Sequence, residues 1–133
     1  PEADLPVIKM PLDKGLDPAL HLPSGRALTP LRSEGKLFIG SGKSLRNMRA
    51  MEHKHATALS REFDKWLADA LSADAESRIG QITRWKDEPS VRFSHPREEH
   101  FPPLMVEPVH VSPGIRQFRN SVLETAISGV AFA

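Results

Sequence analysis

The run HATALSREFDKWLADALS, residues 55–72, constrains this chain more than any other stretch. Leu59, Phe63, Trp66, Leu67, Ala70 and Leu71 recur at i, i+4, i+7, i+8, i+11 and i+12, a spacing that stacks them on one face of an α-helix. A stripe that wide must be buried against a second layer, so Phe63 and Trp66 read as core and not as a cofactor box. With 133 residues, 39% of them hydrophobic and 26% charged, the chain can fill one such core and is globular.

The flanking sequence suggests an alternation of element types. Residues 5–12, LPVIKMPL, read as a short strand edged by prolines. Asp17 is placed to cap a helix with Pro18 at its first position. Pro23 and Gly25 predict a break in that helix before RALTPLRSEG, and Gly35 is a natural stop. Residues 36–42, KLFIGSG, read as a buried strand entering a glycine turn. Beyond the long helix, a second runs from about Asp74 to Trp85 with Ile79 and Ile82 inward. Residues 91–93, VRF, suggest another short strand, followed by the polar turn SHPREEH and an extended or briefly helical segment, FPPLMVEPVHV. The tail IRQFRNSVLETAISGVAFA reads as helix into strand. Strands alternating with helices predict an α/β domain over residues 1–133, with a mainly parallel sheet flanked by helices on both faces. The chain enters its first predicted strand almost at once, which leads to the expectation of further sequence upstream.

Charge and cysteine content remove several functions. A formal net charge of +1 gives no broad footprint for nucleic acid, and no apolar run approaches the roughly 20 residues of a membrane span. The absence of cysteine rules out disulfides and thiol nucleophiles. With no secretory signal visible, the expected setting is reducing, the cytoplasm or an organellar matrix.

Two stretches carry candidate chemistry. LFIGSGKSLRNMR, residues 37–49, ends like a phosphate-binding loop, yet the first glycine of that motif would fall at Leu37. Gly40 and Gly42 then make only a strand-to-helix turn, and Lys43 is a lone cation. SHPREEHFPPL is denser. His95, Glu98, Glu99 and His100 put four potential ligands or acid–base groups into six residues, and Pro96, Pro102 and Pro103 fix the backbone around them. A solvated polar turn is the competing reading. His53 and His55 read as surface, and His21 and His110 as structural.

Together these stretches resemble the DODA-type, or class III, extradiol aromatic ring-opening dioxygenases. The run from Ala3 to Arg49 is similar to the later half of that family: a strand, a helix ending in an LR-(D/S)-EG turn, a buried strand, then SG…HN-(L/M)-R. HPREEHFPPLMV is similar to the family's HP…EH-(F/Y)-LPL signature, and AISGVAFA to its closing strand. The resemblance implies one non-haem Fe(II), or zinc, opening a catechol ring with dioxygen. It implies a metal ligand at His100, with the other histidine ligands supplied by the first half of the fold. Ser41, Gly42, Asn47, His95 and Glu99 become candidates beside the metal or the substrate.

Two departures follow. The family's proton-handling histidine precedes the asparagine of the HN pair; here Arg46 precedes Asn47, and a guanidinium stays protonated and cannot act as a base. It could hold an anion, or pair with Glu98 or Glu99. The family's Gly-Ala after the LPL segment is also replaced, by EPVH. The second departure is that the half bearing the other ligands is not in this sequence, and one histidine cannot hold a catalytic metal. The expectation is a degenerate half-domain, inactive and metal-free alone, that serves as a structural or interaction subunit with another chain over the missing half. The alternative is part of an active ring-cleaving enzyme, with a catecholic substrate, completed by another chain or an upstream segment.

Overall fold

In the computed structural model, residues 2, 4–42, 47, 55–106 and 112–132 are described. α1 (Pro18–Leu28) begins as predicted: the Asp17 carboxylate accepts the Ala19 N–H at 2.9 Å, and Pro18 fills a position that needs no donor. The predicted break does not occur, and the helix runs on through Pro23. Tertiary packing outweighs the missing hydrogen bond there, because α1 is held by its buried His21 and Gly25. α2 (Pro30–Ser33) is one turn, stopped at Gly35 as expected; that glycine has φ of 75° and donates its N–H to the Arg32 carbonyl.

α3 (Ala56–Ser72) is the predicted amphipathic helix, with Phe63, Leu67, Ala70 and Leu71 buried. α4 (Ala75–Thr83) is capped by Asp74, whose side chain accepts from the N–H groups of Glu76 and Ser77. A 3-10 turn over Trp85–Asp87 continues it, so the apolar stripe reaches Trp85 although the α-helix ends earlier. Ile82 points fully inward and Ile79 only partly.

The VRF segment is not a strand. Pro89 occupies the first position of α5 (Pro89–Ser94), a helix that buries Val91 on α3. Three apolar or basic residues carry no period, and the proline decided the outcome. A 3-10 turn at Glu98–His100 leads into the single turn α6 (Pro103–Val106), so the front of FPPLMVEPVHV is briefly helical. Residues 107–111 lie outside the described set.

The tail folds as a β-hairpin: β1 (Gly114–Val122) pairs antiparallel with β2 (Thr125–Phe132), with a bulge between Arg116 and Phe118. The expected strand at the end of the tail is present, but the helix expected before it is not, and that stretch forms β1 instead. The two turn residues, Leu123 and Glu124, both have positive φ, the twist that a two-residue hairpin loop demands.

Among the described residues the sheet is two-stranded and antiparallel, which differs from the mainly parallel sheet expected. The two segments expected to supply inner strands, 5–12 and 36–42, join no sheet, and most of their apolar side chains are exposed: Ile8 94%, Leu37 84% and Ile39 80%. Strand character in a sequence produces a strand only where a partner edge accepts its N–H and C=O groups.

The core lies between α3, α4, α5, α6 and the 3-10 turns. Phe63, Leu67, Leu71, Ile82, Trp85, Val91, Phe101 and Met105 form it. Trp85 stacks on Phe101 with ring centres 4.7 Å apart. No helix among the described residues is long and apolar enough to cross a membrane.

Candidate functional site

Of the four candidate ligands in HPREEH, the structure separates one from the rest. His95 ends α5, donating its backbone N–H to the Val91 carbonyl at 2.8 Å. Its ring is only 3% exposed and sits edge-on to Phe63 and Phe101, with centroids 5.3 and 5.5 Å away. It is therefore part of the core wall and not of a solvated turn. The other three form the surface of the 3-10 turn. Lys86 Nζ lies 2.6 Å from Glu98, and Arg97 Nε lies 3.1 Å from Glu99. Glu98 and Glu99 thus each have a cation beside them.

His100 closes that turn with its side chain 22% exposed, and its Nε2 stands 3.9 Å from Glu99 Oε1. A carboxylate at that distance can bias the orientation of an imidazole without bonding it directly. The glycine turn meets this residue. A Cβ added to Gly42 would sit 2.4 Å from the His100 carbonyl oxygen, so only a glycine permits this approach. Ser41 is exposed beside it. Asn47 is anchored to α5, donating from Nδ2 to the Phe93 carbonyl at 2.8 Å. Arg46, Lys43, His53 and His110 lie outside the described residues.

Of the histidines that read as structural or surface, His21 and His55 are among the described residues and behave so. His21 is buried in α1; Nδ1 lies 2.8 Å from the Asp17 carbonyl, and Nε2 accepts the Asp13 N–H at 3.3 Å. That pattern fits a neutral ring with the proton on Nδ1, stitching the preceding loop to the helix. His55 is exposed at the start of α3.

Asp64 was missed by sequence reasoning. It is 2% exposed on α3, and its Oδ2 faces Arg116 at 3.1 Å and Arg119 at 2.9 Å, while Ser128 donates to Oδ1. Arg116 also donates to the Asp64 carbonyl at 2.9 Å, and Ser60 accepts the Ala126 N–H at 3.0 Å. These bonds lash the hairpin to α3. The signal was present: Ser60 and Asp64 interrupt an otherwise apolar face one turn apart.

No group of three or more histidine, cysteine, aspartate or glutamate side chains that could hold a metal occurs among the described residues. His100 with Glu99 offers two donors at most, so a catalytic metal does not fit these residues by themselves.

Sequence comparison identifies relatives of this chain. The chain is 40% identical over 110 residues to a 4,5-DOPA dioxygenase extradiol of Portulaca grandiflora, and 34% identical over 117 residues to the dioxygenase tasH of Hapsidospora irregularis. It is 26% identical to the 4,5-DOPA dioxygenase extradiol of Escherichia coli K12. Each match takes in about four fifths of this chain. The chain is thus a relative of the DODA-type extradiol dioxygenases, as its two motifs indicated. It spans 36–40% of the length of these curated relatives. No protein-family model matches. The fold has a counterpart in the crystal structure of an uncharacterized protein from Escherichia coli K12, with a TM-score of 0.70 at 21% identity over 86% of this chain and 49% of that one.

Proposed function

We propose that residues 1–133 act as the C-terminal half of an extradiol dioxygenase-like domain, without ring-cleaving activity of their own, and serve as a subunit whose apolar segments are covered by the complementary half. One observation carries this reading: two strand-like segments, 5–10 and 36–40, expose Leu5, Val7, Ile8, Leu37 and Ile39 in a chain that matches only about two fifths of its relatives. Exposed apolar residues in such number call for a covering partner. The lack of a three-ligand cluster among the described residues, and Arg46 at the position of the family's histidine, support inactivity.

A second reading is favoured by the approach of Gly42 to His100, which keeps the two motifs together. In it the complementary half supplies the remaining ligands for Fe(II) or zinc, and a catecholic substrate is cleaved in the composite site with Arg46 as an electrostatic anchor.

A chimera separates the two. Residues 5–132 replace the matched segment of the Portulaca relative, and the product is assayed for folding, bound metal and catechol-dependent oxygen uptake. The first reading expects a folded chimera that consumes no oxygen until Arg46→His is introduced. Turnover with Arg46 in place, lost in Arg46→Ala, would establish the second. An unfolded or aggregated chimera would overturn both, since neither half would then cover the other. Oxygen consumption by the 133-residue chain alone with ferrous ion and a catechol would also overturn the first.

A further inference from the structure

The segment from His100 to Val106 is short, yet it is gripped at both ends by backbone contacts that tolerate no side chain. At one end, a Cβ on Gly42 would fall 2.4 Å from the His100 carbonyl oxygen. At the other, a Cβ on Gly25 of α1 would fall 2.7 Å from the Val106 carbonyl oxygen and 2.9 Å from that of Met105. Real Cβ atoms essentially never come within 3.0 Å of such neighbours, and a carbonyl of a packed backbone cannot swing aside as a flexible side chain can. Between the two grips, Phe101, Pro102 and Met105 are buried. The N–H groups of Phe101, Leu104 and Met105 donate to the carbonyls of Glu98, Phe101 and Pro102, at 3.1, 3.0 and 2.8 Å.

We propose that Gly25 and Gly42 are positioning residues for His100: they clamp the two ends of the strap 100–106 and so fix where its imidazole stands. The proposal rests on the reading that His100 is the site residue of this half-domain, and it adds the means by which a one-turn segment holds that residue. A ligand must stay within about half an ångström of its productive position. A single turn of helix has no such rigidity by itself, because its nucleus is unfavourable. Neither α6 nor the 3-10 turn before it has an interior, so the constraint has to come from the elements that touch the strap. The two glycines come from different parts of the chain, which makes the position of His100 depend on both motifs at once.

Amide hydrogen exchange and NMR of the His100 ring in the full 133-residue chain test this. In the parent chain the amides of Phe101, Leu104 and Met105 should be protected to within about tenfold of the buried α3 amides. Gly42→Ala should speed exchange at Phe101 at least tenfold and shift the His100 ring resonances, while α3 amides stay as they were. Gly25→Ala should act first on Leu104 and Met105 and reach the His100 ring more weakly. Gly80→Ala, an ordinary helical position, should do neither. If the parent strap exchanges as fast as an open loop, or if Gly42→Ala leaves the His100 resonances in place, the proposal is overturned. So is it if every amide accelerates equally, since the glycines would then support only the whole fold. Should Gly42→Ala not fold, the parent exchange pattern still decides. None of these readouts involves a metal, so failure of the half-domain reading in the chimera and failure of the clamp are separate results.

Discussion

The apolar residues of α3 and those of segments 5–10 and 36–40 are alike in kind and opposite in fate. Phe63, Leu67 and Leu71 meet α4, α5 and the hairpin and vanish from the surface, whereas Val7, Ile8, Leu37 and Ile39 stay open. The helix satisfies its own backbone, so it needs only something apolar to lie on. An inner strand needs neighbouring edges as well, and in the described part of this chain they are not supplied. The contrast shows what local sequence secures by itself: helices and a hairpin form their structure, and apolar segments without a partner edge keep only their composition.

The sharpest way to break the contrast is a pair of truncations. Phe63→Ala, in the core against Trp66 and His95, should cost about 3–5 kcal/mol, while Ile8→Ser should stay within about 0.5 kcal/mol in the same urea titration. Comparable losses at both positions would mean that segment 5–10 is already covered. A next step concerns the hairpin, which is held by charge as well as packing. Asp64→Ala removes the carboxylate facing Arg116 and Arg119; both arginines reach solvent, so the loss should be about 2–3 kcal/mol, below that of a fully enclosed pair. Asp64→Ala should also loosen the hairpin amides before those of α4. Loss of α4 protection first would mean that Asp64 does not anchor the hairpin.

What could be read in advance follows the same division. The α3 stripe, the Asp17 cap with Pro18 and the Gly35 stop are local, and all three are present as read. The strands at 5–12 and 36–42 depend on distant edges, and no local pattern reports whether those edges exist. VRF became helical because Pro89 starts a helix, and IRQFRNSV became a strand because Thr125–Phe132 lies beside it. At the site, the pairing of the glycine turn with His100 was legible only through family motifs. The burial of His95 was hidden, since its position against Phe63 and Phe101 is set by tertiary contacts that spacing does not encode. Arg46 lies outside the described residues, so its surroundings stay a matter for the chimera.

The hairpin turn offers a smaller effect of opposite sign. Leu123 and Glu124 hold φ of 49° and 62°, a left-handed backbone that suits asparagine and glycine far better. Leu123→Asn with Glu124→Gly should stabilise the chain by about 1 kcal/mol, seen as a higher denaturation midpoint with an unchanged slope. A loss of stability would mean that the exposed Leu123 side chain already makes a contact worth more than the strain.

The smallest effect expected is at Asp74, on the packed side. Hydrogen bonds from the Ser77 side chain, then from the backbone N–H groups of Ser77 and Glu76, hold its carboxyl below the ordinary aspartate value, against a weaker opposing effect of burial. The folded-state pKa is therefore the lower one, and protons bind more readily to the unfolded chain. The resulting stabilisation of α4 is complete above the ordinary carboxylate range and is lost as pH falls through the folded value. Asp74→Asn keeps a capping oxygen without the titration, so its melting temperature should fall less steeply than the parent's as the pH drops through and below the ordinary carboxylate range. Parallel acid profiles for the two proteins would show that other carboxylates govern acid unfolding. A divergence confined to that window would tie the first loss of the packed side to the start of α4, leaving the open segments unaffected.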